Sequence, residues 1–129
     1  MTRTPEEQAT LDLVMEMYHR VLIAMDSSQV DTYIAPNYVQ HSSLAPPGRD
    51  ALKAFLDRIK VETPNASHQI ARTFVDGDHV IVHLMVKLNP EHRGFVVTDI
   101  FRVADGMIPE HWDVLQDVPE HPVNPNPML

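Results

Sequence analysis

The hydrophobic pattern of this chain changes its period near residue 67. Upstream of that point apolar residues recur every three or four positions, which is the spacing of amphipathic helices. Downstream they alternate with polar residues, as in strands with one buried face. Two Asp-Gly pairs, Asp76-Gly77 and Asp105-Gly106, separate alternating segments and are typical of tight hairpin turns. Helices followed by hairpins predict an α+β fold with an antiparallel sheet.

The same patterns predict three helices and four strands. The first helix covers residues 6–25 and follows Thr4-Pro5, a capping residue and a first-turn proline. A short helical turn is predicted at 29–34 and a third helix at 48–60. The predicted strands are 67–75, 79–89, 95–103 and 107–116. We therefore expect a curved sheet of about four strands with the three N-terminal helices across one face, enclosing a single cavity.

The length of 129 residues fits one domain, which we predict to cover residues 1–118. Residues 119–129 contain four of the eleven prolines and are predicted to form a Pro-rich C-terminal tail, either a surface extension or an arm onto a partner.

Composition narrows the function. The chain has no cysteine, which excludes disulfides and thiolate catalysis, and its net charge of −8 disfavours nucleic acid and anionic membranes as partners. Residues 1–10 lack the apolar core of a secretory signal, so we expect a cytoplasmic protein. The eight histidines do not form the spaced pairs of helical metal sites, and there is no glycine-rich phosphate loop. We predict no metal and no other cofactor.

Strand alternation brings two aspartates together. Asp99 shares a strand face with four apolar residues, and Asp113 shares a face with His111. Around the turn at 104–106, Asp99 and Asp113 are predicted to be cross-strand neighbours. An aspartate exposed to water, with a pKa of about 3.9, is a weak base, but burial beside a second carboxylate raises the pKa of such a group. Two aspartates sharing one proton could then act as base and acid in an enol-forming reaction.

Two parts of the chain resemble a known family. Asp99-Ile100-Phe101-Arg102-Val103, with the run from Asp105 to Val114, is similar to the closing hairpin of SnoaL-like proteins. Tyr38-Val39-Gln40-His41, then Pro47-Gly48-Arg49-Asp50 and the helix containing Phe55, resemble the front half of that family. The resemblance covers about residues 8–118.

The resemblance implies a cone like that of ketosteroid isomerase and nuclear transport factor 2, in which a strongly curved sheet wraps over a long N-terminal helix. The family includes polyketide cyclases that catalyse an intramolecular aldol condensation without a cofactor, and its members commonly dimerise through the outer sheet face. By resemblance the acid/base aspartate is Asp113. The supporting polar group, often a histidine in the family, falls at Asp99, where this chain departs by carrying a second acid.

We therefore predict a cofactor-independent acid/base enzyme that acts on an apolar small molecule by aldol-type cyclisation, enolisation or isomerisation. The predicted catalytic residues are Asp113, Asp99 and His111. The predicted substrate-binding residues are His41, Gln40, Tyr38, Tyr18, Phe101 and Phe55. Two alternatives stay open: a non-catalytic ligand-binding dimer module whose polar groups only satisfy one another, and a hydratase or epoxide-opening enzyme on the same fold. A structural pairing of Asp99 with Arg72 is also open.

Overall fold

The computed structural model describes residues 2–129, so Met1, the first residue of the predicted domain, lies outside the described residues. The helices are α1 (Pro5–Met17), its π-helical continuation (Tyr18–Ile23), a 3₁₀ turn (Ser27–Gln29), α2 (Val30–Tyr33) and α3 (Arg49–Glu62). The strands are β1 (Ile34–Gln40), β2 (Ser67–Asp76), β3 (His79–Lys87), β4 (Phe95–Ala104) and β5 (Met107–Asp117). No helix within residues 2–129 combines the length and the apolar character needed to cross a membrane.

The first helix begins with a capping box. The Thr4 side chain accepts a hydrogen bond from the backbone N–H of Glu7, and the Glu7 carboxylate accepts one from the backbone N–H of Thr4, both at 3.0 Å. The other Glu7 oxygen accepts from the N–H of Gly77 at 3.1 Å, which connects the start of the helix to the β2–β3 turn. After Met17 the helix widens into the π-helical segment, and Tyr18 is its first residue. Such segments are frequent at functional sites.

The strands form one sheet in the order β1-β5-β4-β3-β2. Our prediction of about four strands missed β1, because Pro36 interrupts its sequence and its partner β5 is distant in the chain and parallel to it. Proline is tolerated there because β1 is an edge strand with a single neighbour. The predicted helical turn at 29–34 ends one residue earlier, at Tyr33.

The α+β fold class predicted from the sequence is confirmed. The concave face of the sheet packs on α1 and α3 through an apolar core whose members are almost fully shielded from water, which is the main source of stability. The most deeply buried of them are Val14, Met17, Val21, Val30, Leu56, Val80, Val82, Leu84 and Ile108.

The β4–β5 hairpin sets the register that the site depends on. Asp105 and Gly106 have φ of 53° and 71°, and two such residues form the turn type that matches the twist of paired strands. Asp99 lies directly opposite Asp113, and Phe101 lies opposite His111. The predicted cross-strand opposition of the two aspartates is confirmed.

Replacing Gly94 by alanine is expected to destabilise the protein by about 1–3 kcal/mol, because its φ of +96° strains any side chain. An added Cβ would also lie 3.1 Å from the Met85 side chain and 3.1 Å from the carbonyl oxygen of Val86. Gly77→Ala is the control, since Gly77 also has a positive φ, of +60°, but open space around it. Urea unfolding measures the free energy of unfolding of both variants. An equal decrease in the two variants would contradict a steric contribution from Met85 and Val86 at Gly94.

Candidate active site

Five polar side chains on the concave side of the sheet form one hydrogen-bonded chain. Asp99 is at its centre: Oδ2 accepts from the hydroxyl of Tyr18 at 2.7 Å, and Oδ1 lies 2.8 Å from Nε2 of His111. Nδ1 of His111 lies 2.7 Å from Oε1 of Gln40, and Nε2 of Gln40 donates to the hydroxyl oxygen of Tyr38 at 3.0 Å. Asp99 and His111 are only 6% and 8% exposed. The chain therefore runs Tyr18–Asp99–His111–Gln40–Tyr38.

The backbone determines where the protons of this chain lie. The N–H of Ser42 donates to Oε1 of Gln40 at 3.1 Å, which identifies that atom as the amide oxygen. Because an amide oxygen only accepts, Nδ1 of His111 carries a hydrogen. A second hydrogen lies between Nε2 of His111 and Oδ1 of Asp99. Whichever of these two atoms holds the second hydrogen, the Asp99–His111 pair is neutral overall.

Asp113 is close to this pair but takes no part in these hydrogen bonds. It is partly buried, and one ligand atom from each of Asp99, His111 and Asp113 lies within 4.8 Å of the others. Such spacing would also suit a small cation. We assign a proton to the centre instead, because Asp99 and His111 already face each other at hydrogen-bond distance. That the site needs no metal stays a prediction.

Tyr18 and Tyr38, the two tyrosines of this hydrogen-bonded network, keep their hydroxyl hydrogens at neutral pH. Burial, and then the charge of Asp99, raise the pKa of Tyr18 well above its ordinary value of 10. Burial also raises the pKa of Tyr38, and the charges of Asp99 and Asp113 add to this effect. Tyr18 donates its hydrogen to Asp99, whereas Tyr38 accepts from Gln40 and has its own hydrogen left over from these bonds. Tyr38 is therefore the hydroxyl with a donor to offer beside the two acids.

The raised pKa values of the buried tyrosines predict that the free energy of unfolding falls at alkaline pH. Because the pKa of Tyr18 is raised in the folded state, its contribution to stability is complete below pH 10 and is lost as the pH rises above 10, where the unfolded chain releases the proton first. Tyr18→Phe is expected to flatten the fall in unfolding free energy between pH 9 and pH 11. Urea titrations across that range measure it, and an unchanged slope would show that Tyr18 does not carry the effect.

Four of the six predicted substrate-binding residues lie at the cluster. Tyr18, Tyr38 and Gln40 belong to the chain, and the ring of Phe101 stacks on His111 with centroids 4.8 Å apart. The three predicted catalytic residues also lie here. Whether any of them contacts a substrate stays a prediction.

His41 and Phe55 lie elsewhere. His41 directly follows Gln40, and successive residues of extended chain point to opposite sides, so His41 hydrogen-bonds Glu110 at 2.7 Å and stacks on Trp112 on the convex face. Phe55 is partly exposed on α3, beneath the guanidinium of Arg58.

The alternative pairing of Asp99 with Arg72 is not found. The Arg72 guanidinium hydrogen-bonds Nδ1 of His83 at 2.5 Å, and both side chains lie on the convex face. A register shift between Ile70 and Arg72 moves that arginine out of the alternation expected from the sequence.

Sequence reasoning missed two residues of this region, Ser42 and His68. Ser42 acts through its backbone, for which side-chain chemistry gives no signal. His68 lies in β2, on the face that carries Ile70, and its ring meets Tyr18 edge to face with centroids 6.4 Å apart. The alternation of β2 could have indicated it.

Two surface depressions lie away from the acids. Depressions of about 280 Å³ and about 750 Å³ are lined by residues 91–94 with 117–118, and by residues of the N-terminus with 73–75. Tyr18, Phe101 and His111 pack against one another around Asp99, and Asp113 is the partly exposed acid.

The curved sheet over an N-terminal helix places the protein in the class of NTF2-like α+β folds. The family profile of the SnoaL-like domain matches residues 14–111, and the chain belongs to the SnoaL-like family. The resemblance seen in the sequence is thus confirmed.

Solved structures agree on the fold. A candidate polyketide cyclase from Bacillus cereus ATCC 10987 is 21% identical with a TM-score of 0.74, covering 88% of this chain and 78% of its own. A candidate SnoaL-like polyketide cyclase from Jannaschia sp. CCS1 is 18% identical with a TM-score of 0.74, covering 89% and 90%. IdmH, a candidate polyketide cyclase from Streptomyces antibioticus, is 20% identical with a TM-score of 0.67, covering 82% and 91%. No curated protein matches the chain significantly.

Proposed function

We propose that this protein is a cofactor-independent acid/base enzyme that enolises an apolar carbonyl compound, with Asp113 as the base, in an aldol-type cyclisation or an isomerisation. The observation that carries the proposal is the position of Asp113. It lies opposite Asp99, close to a hydrogen-bonded pair in which it takes no part. Membership of the SnoaL-like family and the likeness to candidate polyketide cyclases support the same chemistry.

The reaction can be written with these groups alone. The carboxylate of Asp113 takes a proton from the carbon next to the carbonyl. The electron pair of the C–H bond forms a C=C bond, and the π pair of the carbonyl moves onto its oxygen to give an enolate. The O–H of Tyr38 donates to that oxygen, where charge develops. In a cyclisation the enolate carbon attacks a second carbonyl of the same molecule. The resulting alkoxide recovers the proton from Asp113.

Asp99, His111 and Gln40 support this chemistry without contacting the reacting atoms. The Asp99–His111 pair is neutral, so it leaves the negative charge of the site with Asp113. Gln40 holds His111 in one tautomer and also orients the hydroxyl of Tyr38. Gln40 is thus a positioning residue in this mechanism rather than the substrate contact predicted from the sequence.

One observation favours the non-catalytic alternative. Asp99, His111 and Gln40 satisfy one another completely, as they would in a ligand-binding module without chemistry. The two functions differ in the fate of the C–H bond, because binding alone leaves it intact.

Deuterium exchange tests the proposal. With 2-tetralone, an apolar ketone with acidic C–H bonds, we expect the protein in D₂O to accelerate loss of the α-proton signals in ¹H NMR. We expect EDTA to leave the rate unchanged. Binding of 2-tetralone without faster exchange would favour the ligand-binding module, and exchange abolished by EDTA would refute a metal-free reaction.

We also propose that two copies of the chain associate through the convex face of the sheet. Four side chains in register, one from each of the strands β2, β3, β4 and β5, form an apolar row across that face. They are Phe74, Ile81, Ile100 and Trp112. Phe74 is 55% exposed, and Val114, two residues after Trp112 on β5, is 71% exposed. Homodimer interfaces are richer in apolar area than other surfaces. The expected cytoplasmic location also remains a proposal.

Analytical ultracentrifugation tests the association. We expect the wild-type chain to sediment as a dimer and Ile81→Lys as a monomer, because a lysine in the middle of the row would be buried without a partner. Val61→Lys is the control, since Val61 is an exposed apolar residue of α3. A monomeric wild type, or a dimeric Ile81→Lys variant, would contradict this interface.

A further inference from the structure

Ser42 is held in place from both sides of the chain. It directly follows the end of the pairing between β1 and β5, where the N–H of His41 donates to the carbonyl of His111 at 2.9 Å. The chain then turns, and the carbonyl of Ser42 accepts from the N–H of Ala45 at 3.3 Å. Ser42 is only 7% exposed. The strand end and the turn therefore fix the direction of its backbone N–H, which donates to Oε1 of Gln40.

The side-chain amide of Gln40 fits its place in two orientations, because its oxygen and nitrogen ends have the same shape. In the observed orientation the oxygen accepts from Ser42 and from Nδ1 of His111. The nitrogen donates to the hydroxyl oxygen of Tyr38, whose own hydrogen stays free. In the reversed orientation the amide nitrogen would face the Ser42 N–H, donor against donor, and would donate to a bare Nδ1 of His111. Tyr38 would then donate to the amide oxygen and lose its free hydrogen.

The two orientations also differ by one proton in the site. In the observed orientation Nδ1 of His111 carries one hydrogen and a second lies between Nε2 and Asp99, so the pair is neutral. In the reversed orientation only Nε2 carries a hydrogen, which it donates to the Asp99 carboxylate. The pair would then hold a full negative charge directly opposite Asp113, the proposed base. Because a buried N–H without an acceptor is costly, the N–H of Ser42 disfavours this reversed orientation.

We propose that Ser42 is a positioning residue for the reaction. Its backbone N–H keeps the Gln40 amide in the observed orientation, which leaves the hydroxyl of Tyr38 free to donate to the substrate. The same orientation keeps the additional proton on the Asp99–His111 pair. The side chain of Ser42 has no part in this role, since its hydroxyl oxygen accepts from the backbone of the turn. The inference rests on the proposed function, because the free hydroxyl matters only to an enolate oxygen that forms beside it.

Variants of this turn separate the N–H of Ser42 from its side chain. Ser42→Pro removes the N–H, whereas the conservative variant Ser42→Ala keeps it. In ¹⁵N NMR we expect Nδ1 of His111 to be protonated in the wild type and in Ser42→Ala, and unprotonated in Ser42→Pro. The exchange rate of saturating 2-tetralone should fall about a hundredfold in Ser42→Pro, as when one donor to an oxyanion is lost, with little change in KM. Ser43→Pro is the proline control, because position 43 is the second residue of the same turn, where proline is favoured.

Tyr38→Phe shows whether the effect acts through that hydroxyl. It should slow exchange by a similar factor, and adding Ser42→Pro to it should slow exchange no further. A merely structural role of Ser42 would add its own loss. Gln40→Glu decides the question if Ser42→Pro does not fold, since a carboxylate accepts the Tyr38 hydrogen whichever way it is turned. We expect Gln40→Glu to exchange as slowly as Tyr38→Phe, and a wild-type rate would overturn the inference.

The outcomes separate this inference from the proposed function. An unprotonated Nδ1 of His111 in the wild type, or identical His111 signals in Ser42→Pro and Ser42→Ala, would overturn the inference and leave the acid/base proposal standing. A wild type that does not accelerate exchange would defeat the acid/base proposal. The catalytic role of Ser42 would then fall with it, even where the His111 signals change as expected.

Discussion

Asp113→Asn is expected to lower the rate of α-proton exchange by about two to four orders of magnitude, the usual loss when a general base is removed. The amide has nearly the same shape as the carboxylate but cannot take a proton. Asp113 takes no part in the hydrogen-bonded chain, so the variant should fold normally. The measurement is the exchange rate of 2-tetralone together with the midpoint of urea unfolding.

Asp117→Asn is the matched control, because Asp117 lies on the same strand and is exposed. It should exchange like the wild type. Should Asp113→Asn keep the full rate, Asp113 is not the base and the mechanism fails. Should it instead unfold, Asp113 is a structural acid and not a base.

Asp99→Ala is expected to cost about 3–5 kcal/mol of unfolding free energy, the largest stability effect we predict for a polar residue. The substitution removes the acceptor of the Tyr18 hydroxyl and the partner of His111 Nε2, both in surroundings closed to water. Asp113→Ala should cost less than about 1 kcal/mol. Urea or thermal unfolding of the two variants measures the difference.

Asp99→Asn makes the test more specific. An asparagine can accept from Tyr18 and donate to Nε2 of His111, provided that Nδ1 of His111 carries the hydrogen, as Gln40 and Ser42 indicate. We therefore expect this variant to recover most of the stability lost in Asp99→Ala. A variant as unstable as the alanine form would show that the amide cannot replace the acid, and the proton positions would need to be reassigned.

The sequence predicted the parts of this site that depend on local periodicity. Alternation along β4 and β5, with the turn at Asp105-Gly106, was enough to place Asp99 opposite Asp113 and His111 on their face. The capping residues of α1 and the glycines of the hairpins are also local signals, and the elements they bound lie within a few residues of the predicted ones.

The features that the sequence did not predict depend on how strands pair with each other, which local periodicity does not show. β1 has a parallel partner about seventy residues later, and nothing local to Pro36 indicates it. Without β1, the side of the chain to which Gln40 and His41 each point could not be assigned, and both were expected in the pocket. Arg72 was misjudged because a register shift in β2 is invisible to alternation. The role of Ser42 comes from a backbone N–H, which every residue except proline carries.

The pairing of β1 with β5 also connects side chains on the concave face of the sheet to side chains on its convex face. Gln40 holds His111 from the inside, while the next residue, His41, stacks on Trp112 outside and donates its backbone N–H to the carbonyl of His111 at 2.9 Å. A displacement of this edge strand would therefore loosen the imidazole and the indole together. A change at the outer surface that moves His41 would therefore also change the position of His111 and of its proton inside the cone, because only one peptide unit separates His41 from Gln40.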